Sequence, residues 1–248
     1  MRVKRALLLA VAVGLLATGC GGDDEPTATD TDTVTLPAVS DARVYLLRDG
    51  KVWPVARELP VVFSADAILA ELIKGPTEDE LELGFTTAIP ETAALSIDES
   101  GKLTVAGLGE PFDAALAQTV YTLTQFARGD LTYDGQRLTR ADFEEQTPSV
   151  LVESPLPFEE VTSPLRAEGT ANTFEANFHY ELTDTDGLIV DENFVTATSG
   201  TGTRGTFEFT TKPYTVPFDG IGSLIVFERS AEDGSRMNVV EIPLRMTR

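Results

Sequence analysis

Residues 174–187 read FEANFHYELTDTDG. Phe174, Ala176, Phe178, Tyr180 and Leu182 alternate with Glu175, Asn177, His179 and Glu181, the period of a strand with one buried and one wet face. Asp184-Thr185-Asp186-Gly187 then carries turn chemistry. The same texture runs onward. Leu188-Ile189-Val190 follows the turn, Phe207-Glu208-Phe209 alternates again, Leu224-Ile225-Val226-Phe227 is a short apolar run, and Val239–Leu244 closes the chain after a turn at Asp233-Gly234. Short strands separated by Gly, Asp and Pro turns, with no helical stretch between them, predict an antiparallel β-sandwich over residues 148–248.

Upstream the period changes. Arg43–Arg48 and Lys51–Val55 flank Asp49-Gly50 and read as a hairpin. Ser64 is placed as an N-cap, with Phe63 and Ile68 at the two ends of a hydrophobic staple. Ile68, Leu69, Leu72 and Ile73 recur at helical spacing, and Gly75-Pro76 ends that helix. Strands are expected at Ala94–Ile97 and Lys102–Ala106. Phe112, Leu116, Val120, Leu123 and Phe126/Ala127 form the stripe of a second helix, closed by Gly129. The expected order is ββαββα over residues 43–147, an α+β domain with one sheet and its helices on one face.

The run VYLLRDGKVWPVAR, Gly75-Pro76, Ile89-Pro90 and Thr122-Leu123-Thr124-Gln125-Phe126 occur in this order. Together they resemble the GerMN domain of sporulation and spore-germination lipoproteins. Leu131-Thr132-Tyr133-Asp134-Gly135 fits that family's closing strand and Asp-Gly turn loosely, because Gly129-Asp130 interrupts it. Further on stand Ser154-Pro155, Ser163-Pro164, Gly169-Thr170-Ala171, Phe174-Glu175-Ala176 and Asp186-Gly187. These resemble the immunoglobulin-like domain of bacterial spore-germination proteins, which often follows a GerMN domain. The resemblance implies a sandwich with no known catalytic residues and a setting in envelope assembly or a germination-like process. GerMN domains also resemble ring-building modules of secretion machines, which implies oligomerisation or docking through the first domain.

The amino terminus has a different logic. Arg2, Lys4 and Arg5 precede the apolar run Ala6–Ala17, and Ala17-Thr18-Gly19 supplies small residues before Cys20, the chain's single cysteine. This is the layout of a secretory signal over residues 1–19, too short for a spanning helix. A lone cysteine at that position resembles the bacterial lipobox, so Cys20 is expected to be diacylated and to anchor the chain to the outer face of the cytoplasmic membrane. Residues 20–42, rich in Thr, Asp, Pro and Gly, read as a self-repelling flexible tether.

The formal charge is −21, from 40 acidic and 19 basic residues, and loss of three basic residues with the signal takes it to −24. Such a surface repels phosphate backbones and anionic headgroups alike, which excludes nucleic acid and leaves the lipid as the means of membrane attachment. With one histidine and one cysteine there is no multi-histidine metal site and no internal disulfide. His179 falls on a wet strand face, Asp184–Gly187 lacks the acidic twelfth residue of a calcium loop (Val195 stands there), and Trp53 reads as core. No Gly-x-Ser-x-Gly elbow, phosphate loop or dinucleotide fingerprint is present. The expectation is a non-enzymatic, extracytoplasmic lipoprotein without cofactors, whose partners are envelope proteins or peptidoglycan. The alternatives are a lipoprotein capturing solutes or peptidoglycan fragments, which requires a pocket between the domains, and a cell-wall hydrolase, which requires a facing carboxylate pair.

Overall fold

The computed structural model describes residues 39–62, 64–108, 110–125 and 131–248. The signal, Cys20 and most of the tether lie outside the described residues, as do Phe63, Phe126, Ala127 and Gly129. Among the described residues no helix is long and apolar enough to cross a membrane.

Strand β1 (Val39–Arg48) begins before the expected boundary at Arg43 and pairs along its whole length with β2 (Lys51–Pro60). Asp49 and Gly50 between them both have positive φ, the two-residue turn whose twist matches that of a hairpin. Helix α1 (Ala65–Lys74) starts where Ser64 accepts a hydrogen bond from the Ala67 N–H and stops where the Gly75 N–H reaches the Leu72 carbonyl at φ 72°. A short helix α2 (Glu78–Glu82), absent from the expected order, is nucleated by a capping box between Thr77 and Glu80. Glu80 also pairs with Arg57 at 2.6 Å, and Arg57 donates to the Gly75 carbonyl at 3.0 Å, so one guanidinium ties α2 to the end of α1. Strands β3 (Ala94–Ile97) and β4 (Leu103–Ala106), helix α3 (Phe112–Thr124) and the hairpin β5 (Leu131–Tyr133) and β6 (Gln136–Leu138) complete this half. The Asp134-Gly135 turn that fitted the family pattern loosely is formed, with both residues at positive φ.

Two findings depart from the expected single sheet with helices on one face. The strands form three separate hairpins; an isolated bridge between Lys102 and Thr132 links the second to the third, and another joins Leu47 of the first to Thr86 in the segment after α2. And α3 is buried on every side from Ala114 to Leu123, not along a stripe. One cause explains both. The free edge of β1 is satisfied by helix side chains instead of a further strand. Gln125 bonds both the N–H and the carbonyl of Arg43, Thr122 accepts from the Tyr45 N–H at 3.0 Å, and Gln118 donates to the Tyr45 carbonyl at 3.0 Å while accepting from the Ala88 N–H at 2.9 Å. The next alternate residue, Leu47, exchanges backbone bonds with Thr86. Buried polar residues on α3 are therefore required, because each serves a backbone group that burial would otherwise leave unpaired.

A 3₁₀ segment, Arg140–Gln146, leads into the sandwich. Its strands are β7 (Val150–Ser154), β8 (Glu160–Val161), β9 (Arg166–Ala171), β10 (Asn177–Thr183), β11 (Ile189–Thr196), β12 (Gly205–Thr210), β13 (Gly220–Arg229) and β14 (Arg236–Met246). One sheet has the order β11-β10-β13-β14-β8, antiparallel except for the β14–β8 pair, and the other β12-β9-β7. Phe178, Tyr180, Leu182, Leu224, Val226, Ile242 and Leu244 fill the core. Gly169 sits where β9 passes between its neighbours, and a Cβ there would lie 2.1 Å from the Leu151 carbonyl oxygen and 2.9 Å from the Phe207 ring. The long alternating stretch is shorter than its pattern. Phe174–Ala176 is a 3₁₀ turn with Glu175 and Ala176 at positive φ, so β10 starts at Asn177 and Phe174 is 65% exposed.

Candidate functional site

The richest polar chemistry lies along the seam where the α+β half meets the sandwich. Arg140 is its centre. Its guanidinium pairs with Glu153 on β7 at 2.8 Å, donates to Thr124 Oγ1 at 2.8 Å and to the Tyr45 hydroxyl at 3.2 Å, and lies 5.2 Å and 4.6 Å from the Tyr45 and Tyr121 ring centroids. The Tyr45 hydroxyl donates a short hydrogen bond to Glu153, and Arg43 reaches the Glu153 carbonyl at 2.7 Å. Burial acts to raise the Glu153 carboxyl, but the Arg140 charge and the Tyr45 and Arg140 hydrogen bonds outweigh it and hold the group below the ordinary carboxylate range. Burial and the Glu153 charge push the Tyr45 hydroxyl up, so it stays a donor. A second clamp lies further along. Arg204 grips Glu144 with two bonds of 2.9 Å and donates to the Pro148 carbonyl at 2.8 Å, and Asn172 donates to Glu144 at 2.8 Å. Burial opposes ionisation of Glu144 as well, yet Arg204 and Asn172 leave its carboxyl below its usual value.

Two cavities border these clamps. The larger, about 720 Å³, is lined by Arg43, Thr124, Gln125 and Arg140 on one side and by Thr170, Thr196, Thr198 and Phe207 of the sandwich on the other. The smaller, about 500 Å³, lies between the β1–β2 turn, the Arg204–Glu144 clamp and β14 around Val239. Of the carboxylates that line the two cavities, Glu153 pairs with Arg140, Glu168 and Glu208 pair with Arg166, and Glu144 is gripped by Arg204, while Asp49 lies exposed on the β1–β2 turn.

The residues singled out in the sequence go elsewhere. His179 stacks on Phe227 at 5.6 Å on the outer face of the five-stranded sheet, where burial and Arg229 lower its pKa, and it lines neither seam cavity. Asp184 closes a turn by accepting from the Asp186 and Leu188 N–H groups, each at 2.9 Å. No group of three or more metal-ligating side chains occurs among the described residues. Trp53 is 8% exposed in the core of β2, and its remaining surface lines the smaller cavity. Arg140, Glu153, Arg204 and Glu144 carried no signal in the sequence, because each is an ordinary surface residue type outside any motif and finds its partner through the fold.

Fold and seam define a two-part, α+β plus immunoglobulin-like protein whose halves are joined by ionised side chains. Residues 43–139 match the family model described as sporulation and spore germination, and residues 149–235 match the immunoglobulin-like domain of bacterial spore germination. The chain carries these two domains in that order, which marks it as a sporulation- and germination-related protein. No curated protein matches it.

Proposed function

We propose that this chain is an extracytoplasmic lipoprotein, anchored through acylated Cys20, whose two domains bind protein or another component of the envelope and carry out no catalysis. The single observation that carries the reading is the position of Cys20. It is the chain's lone cysteine and follows a basic segment, an apolar run and Ala17-Thr18-Gly19. The pair of germination-related domains supports the same setting. The seam supports a binding role, because arginine clamps fix the two surfaces against each other and so present them to a partner without an ordering cost at the moment of binding. The strongly negative body favours an anchor over a charged membrane face.

Mass spectrometry of the membrane fraction tests the reading, using cells that express the wild type and Cys20→Ser. A diacylated amino-terminal Cys20 peptide in the wild type, with the variant released or unprocessed, is the expected result. Unmodified Cys20 in soluble secreted protein would overturn it.

A further inference from the structure

The smaller seam cavity has more donors than the protein uses. Arg48 and Lys51 flank the Asp49-Gly50 turn, are half-buried, and make no ion pair among the described residues. Arg48 donates to the Glu241 carbonyl at 3.1 Å and Lys51 to the Glu145 carbonyl, so each spends one donor on a neutral acceptor. Lys51 is near enough to Glu144 to help hold that carboxyl down, but Glu144 is already gripped by Arg204. Asp49, exposed on the turn, is the remaining carboxylate of the lining and leaves one cation in surplus. In a chain of net charge −21, two neighbouring cations whose hydrogen bonds go to backbone carbonyls and that close no ion pair among the described residues are the opposite of the surface average.

Two neutral donors are also without a protein partner. The Ser149 hydroxyl is buried and unpaired, and the Trp53 indole N–H, which keeps contact with solvent, makes no hydrogen bond among the described residues. Both residues line the cavity. A polar group left unpaired in such a place costs free energy unless a ligand or solvent serves it. The wall also carries Thr147, Asn172 and Asn238, but Pro148, Val239 and Val240 form an apolar patch beside the indole, which offers an organic body a surface that a bare inorganic ion would leave unused.

We propose that this cavity is a binding site for a small organic carboxylate, the charged group taken by Lys51 and Arg48 with hydrogen bonds from Ser149 and Trp53, and the apolar body set against Val239 and Pro148. A carboxylate is the match because it is acceptor-only and planar, and so meets an ammonium, a guanidinium fork and two neutral donors at once. The site goes beyond the envelope-docking reading and does not depend on the anchor, so Cys20→Ser protein binds equally well if the site is real.

Trp53 is the chain's single tryptophan, so its emission reports this cavity alone. The full chain is titrated with N-acetyl-alanyl-alanine and with N-acetylmuramic acid, a peptide and a sugar source of the same group. The dipeptide's C-terminal amide and inorganic phosphate serve as controls, with calorimetry in parallel. The expected result is a saturable emission change for at least one of the two acids, with Kd of about 0.1–1 mM for ligands of this size. The amide and phosphate bind at least about tenfold more weakly, Lys51→Met loses at least about tenfold, and Lys51→Arg keeps binding. Arg48→Met should do the same, but Arg48 also lies 5.9 Å over the Phe85 ring, so Lys51→Met, with an unchanged melting curve, is the deciding variant. Absence of saturable binding by both acids, equal binding of acid and amide, phosphate as tight as either acid, or undiminished binding by Lys51→Met would each overturn the proposal.

Discussion

Arg140→Met tests whether the seam is held by charge. Methionine keeps an unbranched apolar stem against the Tyr45 and Tyr121 rings and removes the guanidinium. The side chains of Arg140 and Glu153 are 28% and 16% exposed, so the pair is largely but not fully desolvated. Breaking a fully buried pair costs about 3–5 kcal/mol, whereas an exposed pair contributes about 0–1 kcal/mol. The intermediate burial, and the hydrogen bond that Tyr45 still gives Glu153, place this one at about 2 kcal/mol. Loss of the two ring contacts adds about 1 kcal/mol, for a total near ~3 kcal/mol. For a unit of this size that lowers the melting temperature by about 6–12 °C. The assay is thermal and urea unfolding followed by two probes. Trp53 emission reports the α+β half alone, and far-ultraviolet circular dichroism reports both halves. The wild type should give coincident transitions, since the seam couples the halves. Arg140→Met should shift the tryptophan transition down and separate it from the other. A shift under about 2 °C with the two transitions still superimposed would refute the assignment of Arg140 as the coupling residue.

The remaining predictions address the same seam and the sandwich core. Glu153 has a depressed folded pKa, so its contribution is fully present above the ordinary carboxylate value of about 4.3 and is lost as pH falls through the folded value below it. The stability difference between the wild type and Glu153→Gln should therefore be constant from neutral pH to about pH 5 and shrink below about pH 4; a difference that grew on acidification would contradict the direction. Gly169→Ala places a methyl group 2.1 Å from the Leu151 carbonyl oxygen, on backbone held in a sheet, and should cost about 3 kcal/mol or more in chemical denaturation. An unchanged denaturation midpoint there would mean that β7, β9 and β12 are not in the described register.

The elements that were legible in the sequence are those set by neighbours along the chain. Asp49-Gly50 forms its turn because two adjacent residues must accept positive φ, Ser64 caps α1 through an N–H three residues on, and Gly75 ends that helix by its own backbone freedom. Alternation likewise marked β12, a short apolar run marked β13, the segment after the Asp233-Gly234 turn marked β14, and the ordered motifs marked both family domains. Where the alternation failed, at Phe174–Ala176, a distant segment won. Gly200 packs so closely on Thr173 and Ala176 that a Cβ there would lie 2.5 Å from their backbone atoms, and Glu175 and Ala176 turn through positive φ instead of extending.

The candidate site was mostly invisible. Trp53 could be noticed because it is single, but its cavity needs Lys51, Ser149 and Val239 from three separate segments. The same holds for the seam. The sequence by itself determined the first hairpin, helices α1 and α3, strands β3 and β4, the main later strands of the sandwich and the order of the two domains. Each rests on local backbone preference, hydrophobic period or ordered motifs, whereas α2, β7, β8 and β9 carried no such period. Only the tertiary structure decided that α3 lends Gln118, Thr122 and Gln125 to the edge of β1, and that Tyr45 meets Glu153 and Arg204 meets Glu144. Those pairings join residues far apart in the chain, and the charge attraction and hydrogen bonds that offset the cost of desolvating them arise only once the chain has closed on itself.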